Sequence, residues 1–536
     1  MEEGKKEINL DSILESLGPY GRYNILNFVL LLFPVLLSSF FECGFIFEAR
    51  EVDYRCEIPI CEGISDFNDT SWTNFSIPFN HEKNKLESCV RYAPIDEANE
   101  RCSADAFYMN KTVPCKSFVY GESNTLVKEF NLGCEESKRT LVGTIHSTGM
   151  FAAMVFTGAI SDRFGRKVAI GLASIASFIF GMSRAFSPNY WVYIAMHFFE
   201  AGFGGGLYPS AYVLGVELVG LKQRVIVSAI CNMTFVVGEV IIALLALFVD
   251  NWRTYILILY SPAIIVGVYV WFMNESARWL LSKGRKEEAI KILKSAAKIN
   301  NLDPRKLDLD ALGDPLLRPQ NQTVDKQSQL SKALRSSIIW KRLLICSFLW
   351  ITCSLVYYGL SINSTSLLPT NNRYVNFMLV VLVEIPAYII VVVVIDKYGR
   401  KRTLMACYVT CAVTSLLFAF LPRSDWWSIT LYLICKFGVT VAYSSVYIYV
   451  SEVFPTNMRQ TLISVCSMAG RIGSLLAPQT PLLALYHRSM PLSIFGFMCV
   501  LCSTLVVLLP ETSNIRLPDT IEEAEQLSKV KSKIDI

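Results

Sequence analysis

Asp162-Arg-Phe-Gly-Arg-Lys167 and Asp396-Lys-Tyr-Gly-Arg-Lys401 are the stretches on which the fold turns. They start 234 residues apart, and three further charged positions repeat in the same register: Glu217 and Glu452 (235), Arg224 and Arg459 (235), Glu275 and Glu511 (236). One such match is unremarkable, but four in register indicate that the chain is an internal duplication. Each half repeats Asp-x-x-Gly-Arg-Lys, then Glu-x6-Arg, then a Glu.

Working outward, each motif lies between apolar runs of about 17 to 25 residues, long enough to cross a hydrocarbon core of about 30 Å as helices. In the first half these runs are near 23–47, 139–161, 168–186, 190–214, 225–249 and 255–273; in the second they are near 340–361, 374–395, 403–421, 427–450, 460–485 and 490–509. Twelve spans in two sets of six follow, and both termini fall on one side. The composition agrees: 52% of residues are hydrophobic and 18% charged, so lipid rather than water must be the solvent for most of the surface. A net charge of +4 gives no reason to expect nucleic acid as a partner. The first run is too long for a signal-peptide core and has no small-residue cleavage site after it, so it reads as a retained span.

Lys and Arg concentrate in the two repeated turns and in 275–342, which marks these segments as cytoplasmic, while Ser187-Pro188-Asn189 and Asp250-Asn251-Trp252 are nearly free of them. Both termini, 1–22 and 510–536, are therefore expected in the cytoplasm of a multi-pass plasma-membrane protein. The first half, 23–273, carries an insertion at 48–138 with Cys56, Cys61, Cys89, Cys102, Cys115 and Cys134 and with glycosylation triplets starting at Asn68, Asn74 and Asn110. It reads as a small disulfide-rich extracellular domain; six cysteines allow fifteen pairings and the sequence selects none. Segment 274–338 joins the halves. Ala289, Ile290, Leu293, Ala296 and Ala297 recur there at helical spacing against Lys291, Lys294 and Lys298, as in a helix lying on the inner face, and 303–329 reads as a flexible connector. The second half is 339–509.

The repeated charges all fall at cytoplasmic span ends. Asp162, Gly165, Arg166, Glu217, Arg224 and Glu275, with Asp396, Gly399, Arg400, Glu452, Arg459 and Glu511, are expected to act as a gate, their pairs forming when the inner ends gather. Gly165 and Gly399 permit the tight reversal. Two six-helix halves related by an axis along the membrane normal place a binding site near the midplane. Ionisable residues inside spans are expensive and each needs a reason. Glu239, Glu384 and Arg471 lie well inside spans, with Glu42, His146, Glu200 and Lys436 nearer ends. Glu384 and Tyr388 share a helix face, as do Tyr443 and Tyr447, and Tyr357 adds another ring, so an aromatic-lined cavity suited to organic cations is expected. No nucleophile, base and orienting group fall at catalytic spacing and no metal-ligand cluster is legible, so the chain does not read as an enzyme or a metalloprotein.

Four marks resemble the organic cation, carnitine and organic anion transporter family of the major facilitator superfamily: the cysteine-rich first outer loop, Asp162-Arg-Phe-Gly-Arg-Lys167, Asn274-Glu-Ser-Ala-Arg-Trp-Leu-Leu281, and Pro510-Glu-Thr512 with Leu517-Pro-Asp-Thr-Ile521. The resemblance spans nearly the whole chain. It implies an all-α major facilitator fold and a central cavity lined by Tyr208, Asn232, Tyr357, Glu384, Tyr388 and Arg471, to which the span positions of Glu239 and Tyr447 are added. Cation carriers of the family place an Asp where Arg471 stands, and anion carriers a Lys where Tyr388 stands, so this pair is the carnitine-like combination.

The reading that results is alternating-access transport of small organic ions, foremost carnitine-like zwitterions, with Arg471 meeting a carboxylate and Glu384 plus tyrosines meeting an ammonium. A simple organic cation carrier is the alternative; an organic anion carrier and a non-transporting ligand receptor come after it. No cofactor is expected. The coupling ion, proton or sodium, stays open, although Leu207 and Ala176 stand where the carnitine carriers have polar residues implicated in sodium dependence. Oligomeric state is not legible.

Overall fold

The computed structural model describes residues 10–18, 21–62, 67, 72–80, 85–95, 102–220, 223–303, 336–368, 372–421, 425–456, 458–513, 518 and 521–530. Asn68 and most of the expected connector lie outside them. The spans are helices close to the expected bounds. In the first half they are Arg22–Cys43 continuing as Phe45–Glu48, Glu136–Phe164, Arg166–Arg184, Tyr190–Gly204 with Leu207–Glu217, Arg224–Phe248, and Trp252–Tyr260 with Ala263–Tyr269. In the second they are Ser337–Leu367, Arg373–Leu382 with Glu384–Tyr398, Arg400–Phe420, Asp425–Val453, Arg459–Leu476 with Thr480–Tyr486, and Met490–Val507.

Among the described residues, eleven helical stretches are long and apolar enough to cross a bilayer. The remaining span, the fourth, is divided at Gly205-Gly206. Its glycines sit where the neighbouring helices come closest: a Cβ on Gly204 would lie 2.0 Å from Ser177 Oγ in span three, and one on Gly206 2.4 Å from Thr157 Oγ1 in span two. Small residues at such crossings let helix backbones approach in lipid, where no hydrophobic force drives them together.

Each half buries its own core. One is built around Leu31, Val236, Ile242, Ile256 and Tyr260, the other around Leu349, Tyr408, Tyr432, Phe454 and Phe495. The halves meet where span five packs on span eight and span two on span eleven. The hydrogen bonds across the second seam lie toward the face that bears the disulfide domain, called the outer face below: Thr140 Oγ1 to Gln479 Oε1 at 3.3 Å, Gln479 Nε2 to Thr144 Oγ1 at 2.5 Å, and Ser147 Oγ to the Ser474 carbonyl at 3.1 Å. On the same side Phe47 stacks on Tyr374 and meets Phe377 edge-on. The outer end is thus closed by contacts between the halves.

On that face, three two-stranded antiparallel ribbons (Tyr54–Cys56 with Phe118–Tyr120, Phe79–Asn80 with Lys85–Leu86, Val90–Pro94 with Phe107–Pro114) are stapled by Cys56–Cys115, Cys61–Cys102 and Cys89–Cys134. This is one of the pairings the sequence left open. A hydrophobic nucleus of Ile58, Trp72, Ile77 and Phe107 is too small to hold such a unit without covalent help. Asn74 and Asn110 are exposed on it, as glycan acceptors must be.

At the opposite face, the amphipathic helix Lys286–Ile299 buries Ala289, Leu293, Ala296 and Ala297 as its periodicity requires. Its apolar side is covered by protein: Ile13, Leu14, Leu17 and Tyr23 of the N-terminal segment complete that cluster, and Asn300 Oδ1 accepts from the Tyr23 N–H at 2.8 Å. The C-terminal helix Ile521–Val530 also lies on this face, with the Ala524 carbonyl accepting from Arg342.

Candidate functional site

The duplicated motifs build two nearly superimposable latches at the inner face. Gly165 joins spans two and three at φ +108°, and Gly399 joins spans eight and nine at φ +88°. A side chain there is strained by conformation and also by space, because a Cβ on Gly165 would lie 2.2 Å from the Glu275 carboxylate and one on Gly399 2.9 Å from that of Glu511. Each carboxylate sits at the N-terminus of the following helix. Glu275 accepts from the Arg166 N–H at 3.1 Å and Glu511 from the Arg400 N–H at 3.0 Å, which satisfies amide groups that have no partner inside the helix. The arginines then fork: Arg166 reaches Glu217 at 3.2 Å and Asp162 at 2.9 Å, and Arg400 reaches Glu452 at 3.1 Å and Asp396 at 3.4 Å. Even the lysines correspond, Lys167 donating to the Trp271 carbonyl and Lys401 to that of Val507, both at 2.7 Å.

The expected fork of each Arg onto a carboxylate of a neighbouring helix is present. The gating charges Asp162, Arg166, Glu217 and Glu275, and Asp396, Arg400, Glu452 and Glu511, pair within their own halves and not between them. The reason is topological: span two's turn, span four's end and span six's end converge inside one six-helix unit.

Near the midplane the predicted cavity residues fall into three groups. In the first, Glu384 Oε2 accepts from Tyr357 OH at 2.6 Å and from Tyr388 OH at 3.3 Å, as the shared helix face predicted. Its other oxygen is 2.8 Å from Lys436 Nζ, with both side chains fully buried. Lys436 also donates to Ser361 Oγ at 2.8 Å and lies 3.5 Å from the centroid of the Tyr357 ring. Glu384 is therefore already neutralised by span ten and is not open to a ligand's ammonium. Lys436 was the weaker signal in the sequence, yet the rule that singled out Arg471, one cation inside an apolar run, applies to it equally.

The second group surrounds Arg471. Tyr358, Tyr443, Tyr447 and Glu42 are its electrostatic neighbours. Its Nε points at Met154 Sδ of span two, 3.1 Å away, and among the described residues no carboxylate lies within ion-pair distance of it. Tyr447 packs on Trp350 with ring centroids 4.2 Å apart and stays 45% exposed. Glu42 accepts from Tyr358 OH at 2.9 Å. Arg471 thus pairs with neither Glu239 nor Glu384.

The third group belongs to the first half: Tyr208 OH donates to Asn232 Oδ1 at 2.8 Å, and Glu239, buried in span five, accepts from Cys43 Sγ at 3.2 Å. Tyr208 shares with Glu42, Ser38 and Met150 a small cavity with room for about one water molecule.

Such an arrangement suits a carrier of organic ions: a guanidinium without an anion, acids on facing helices, and a wall of phenols. Residues 88–524 match the family model described as sugar (and other) transporter. The chain is 31% identical over 530 residues to "Organic cation transporter protein" of Drosophila melanogaster, covering 97% of this chain and 95% of the relative. It is 29% identical over 545 residues to "Organic cation/carnitine transporter 2" of Homo sapiens, covering 98% and 95%. The fold is also that of the xylose transporter XylE from E. coli in its inward open conformation, with TM-score 0.62 and 14% identity over 94% of this chain and all of that one. Twelve spans, duplicated latches and full-length similarity lead to one conclusion: this chain belongs to the organic cation, carnitine and organic anion transporter family of the major facilitator superfamily.

Proposed function

We propose that this protein is a plasma-membrane carrier, with both termini cytoplasmic, for small organic ions that bear an ammonium and a carboxylate. The observation that carries this reading is Arg471: a half-buried guanidinium beside Tyr358, Tyr443 and Tyr447 and, among the described residues, without a carboxylate partner. A buried cation in that state is stabilised by an anion that the solute brings. Glu42 and the tyrosine rings stand nearby to receive the ammonium, by charge and by the negative ring faces. Glu384, fixed by Lys436, supports the wall instead of meeting the solute. Transport itself follows from two rigid halves rocking about the midplane, and no cofactor is required.

A second reading, a simple organic cation carrier, is favoured by the acids Glu42 and Glu239 and by the likeness to the organic cation transporter protein of Drosophila melanogaster. Uptake of radiolabelled carnitine, tetraethylammonium and a dicarboxylate into cells expressing wild type or Arg471→Ala separates the two. The zwitterion reading expects carnitine uptake to fall about tenfold or more in the variant, the worth of one charge-assisted hydrogen-bonded contact. Tetraethylammonium uptake that exceeds carnitine uptake and survives the substitution sinks it and leaves the cation carrier.

A further inference from the structure

Away from the latches and the Arg471 wall, the first half buries a second charged network. Glu48 at the outer end of span one is 3.1 Å from Arg184 of span three, and its other oxygen accepts from Tyr193 OH at 2.6 Å. The guanidinium lies 4.8 Å from the Tyr260 ring centroid and touches His197 Nδ1 of span four. Glu200, one turn further on, has Oε2 at 3.8 Å from His197 Nδ1 and 4.0 Å from His146 Nδ1 of span two. None of these seven is more than 3% exposed. Yet among the described residues Glu200 Oε2 and both His146 ring nitrogens have no hydrogen-bond partner. These buried groups await something.

Charge identifies it. Arg184 is always ionised and balances Glu48, so an ionised Glu200 leaves the network with one uncompensated negative charge in a low-dielectric interior, a state that buried groups escape by taking a proton. A guanidinium can only donate, so His197 Nδ1 accepts from Arg184 and that ring is neutral with its hydrogen on Nε2. The proton must then rest on Glu200 or His146. The other groups facing the pair are Glu42 across the cavity, Tyr260 beside Glu200, and Arg471, which acts on His146 from span eleven. A transition metal is disfavoured because Arg184 already occupies the Nδ1 lone pair of His197. Sodium would find one carboxylate and two imidazoles, a donor set poor in oxygen.

We propose that Glu200 and His146 form a proton-binding site of the first half. It exchanges with the central cavity through the small cavity that the two share with Glu42, Met150 and Tyr208. Its use, as the ion coupled to solute movement, rests on the carrier reading above; its existence does not.

The test takes purified full-length protein and follows its thermal unfolding midpoint from mildly acidic to mildly alkaline pH. The folded network holds a proton more tightly than the unfolded chain does, so the stabilisation is present at low pH and is lost as pH rises past the folded affinity. Wild type should lose about 5 °C over that range. Glu200→Gln leaves Glu48 and Arg184 balanced and should flatten the slope. His146→Gln should keep a slope displaced in pH, and it serves where Glu200→Gln does not fold. A wild-type midpoint that does not fall, a slope unchanged in both variants, or zinc that raises the wild-type midpoint but not that of His146→Gln overturns the site. In proteoliposomes, an inward proton gradient should accelerate uptake of carnitine or tetraethylammonium by wild type and not by Glu200→Gln. Uptake indifferent to the gradient overturns the coupling while leaving the bound proton. No uptake of either probe counts against the carrier reading for those solutes, and the pH slope still decides the site.

Discussion

The two halves share one inner latch down to individual atoms, but they bury their charges in different places. In the second half the ion pair is at the cavity wall, Lys436 on Glu384 under the Tyr357 ring; in the first it is near the outer end, Arg184 on Glu48, with His197, Glu200 and His146 attached. The inner turns are held to one geometry because each has the same task, to tie the span ends of a six-helix unit together through a carboxylate on a helix N-terminus. Nothing equivalent constrains the middle. There each half is shaped by what it meets: a solute on one side, and on the reading above a proton on the other.

Breaking the two ion pairs gives the largest expected effects. Lys436→Met leaves Glu384 as an unpaired buried carboxylate and should lower stability by about 3 to 5 kcal/mol, seen as a lower thermal unfolding midpoint, with much of the loss recovered by adding Glu384→Gln. Arg184→Met should do likewise through Glu48, and Glu48→Gln should rescue only part of it because His197 Nδ1 has then lost its buried donor. Equal rescue in the two cases would contradict the difference in wiring drawn between the halves.

Next come the latch glycines. Gly165→Ala and Gly399→Ala both force a side chain into the left-handed region, at about 1 to 3 kcal/mol. Gly165→Ala should be the worse because its Cβ would come closer to its carboxylate, 2.2 Å against 2.9 Å. Thermal melts of the two variants side by side check the order, and a reversal would mean that the latches differ in slack in a way their contacts do not reveal.

The smallest effect is expected where the disulfide domain rests on the first half. Glu129 is held below the usual carboxylate range chiefly by its hydrogen bonds from Arg253, helped by Trp252 Nε1. A depressed carboxylate contributes stability above its unfolded value and loses it as pH falls through the folded one. The pair is well exposed, so Glu129→Gln should cost under about 1 kcal/mol and slightly blunt acid sensitivity, measurable as a melting difference that shrinks at low pH.

Much of this molecule was legible in its sequence because the determinants are local or periodic. Span length follows from bilayer thickness, the twelve-span count from apolar runs, and the duplication from register. Gly165, Arg166, Glu217 and Glu275 with their counterparts were identifiable because motif spacing survives in one dimension. Tertiary structure decided what depends on distance between elements far apart in the chain. It chose one cysteine pairing of those the sequence left open, and it gave Glu384 to Lys436 rather than to a solute. It also turned the gating charges into latches inside each half, and it drew His146, His197 and Glu200 from two spans onto one buried point. The physical reason is common to all four. A lone charge in an apolar run announces that it must be compensated, but its partner is whichever group the helix packing brings within a few ångströms.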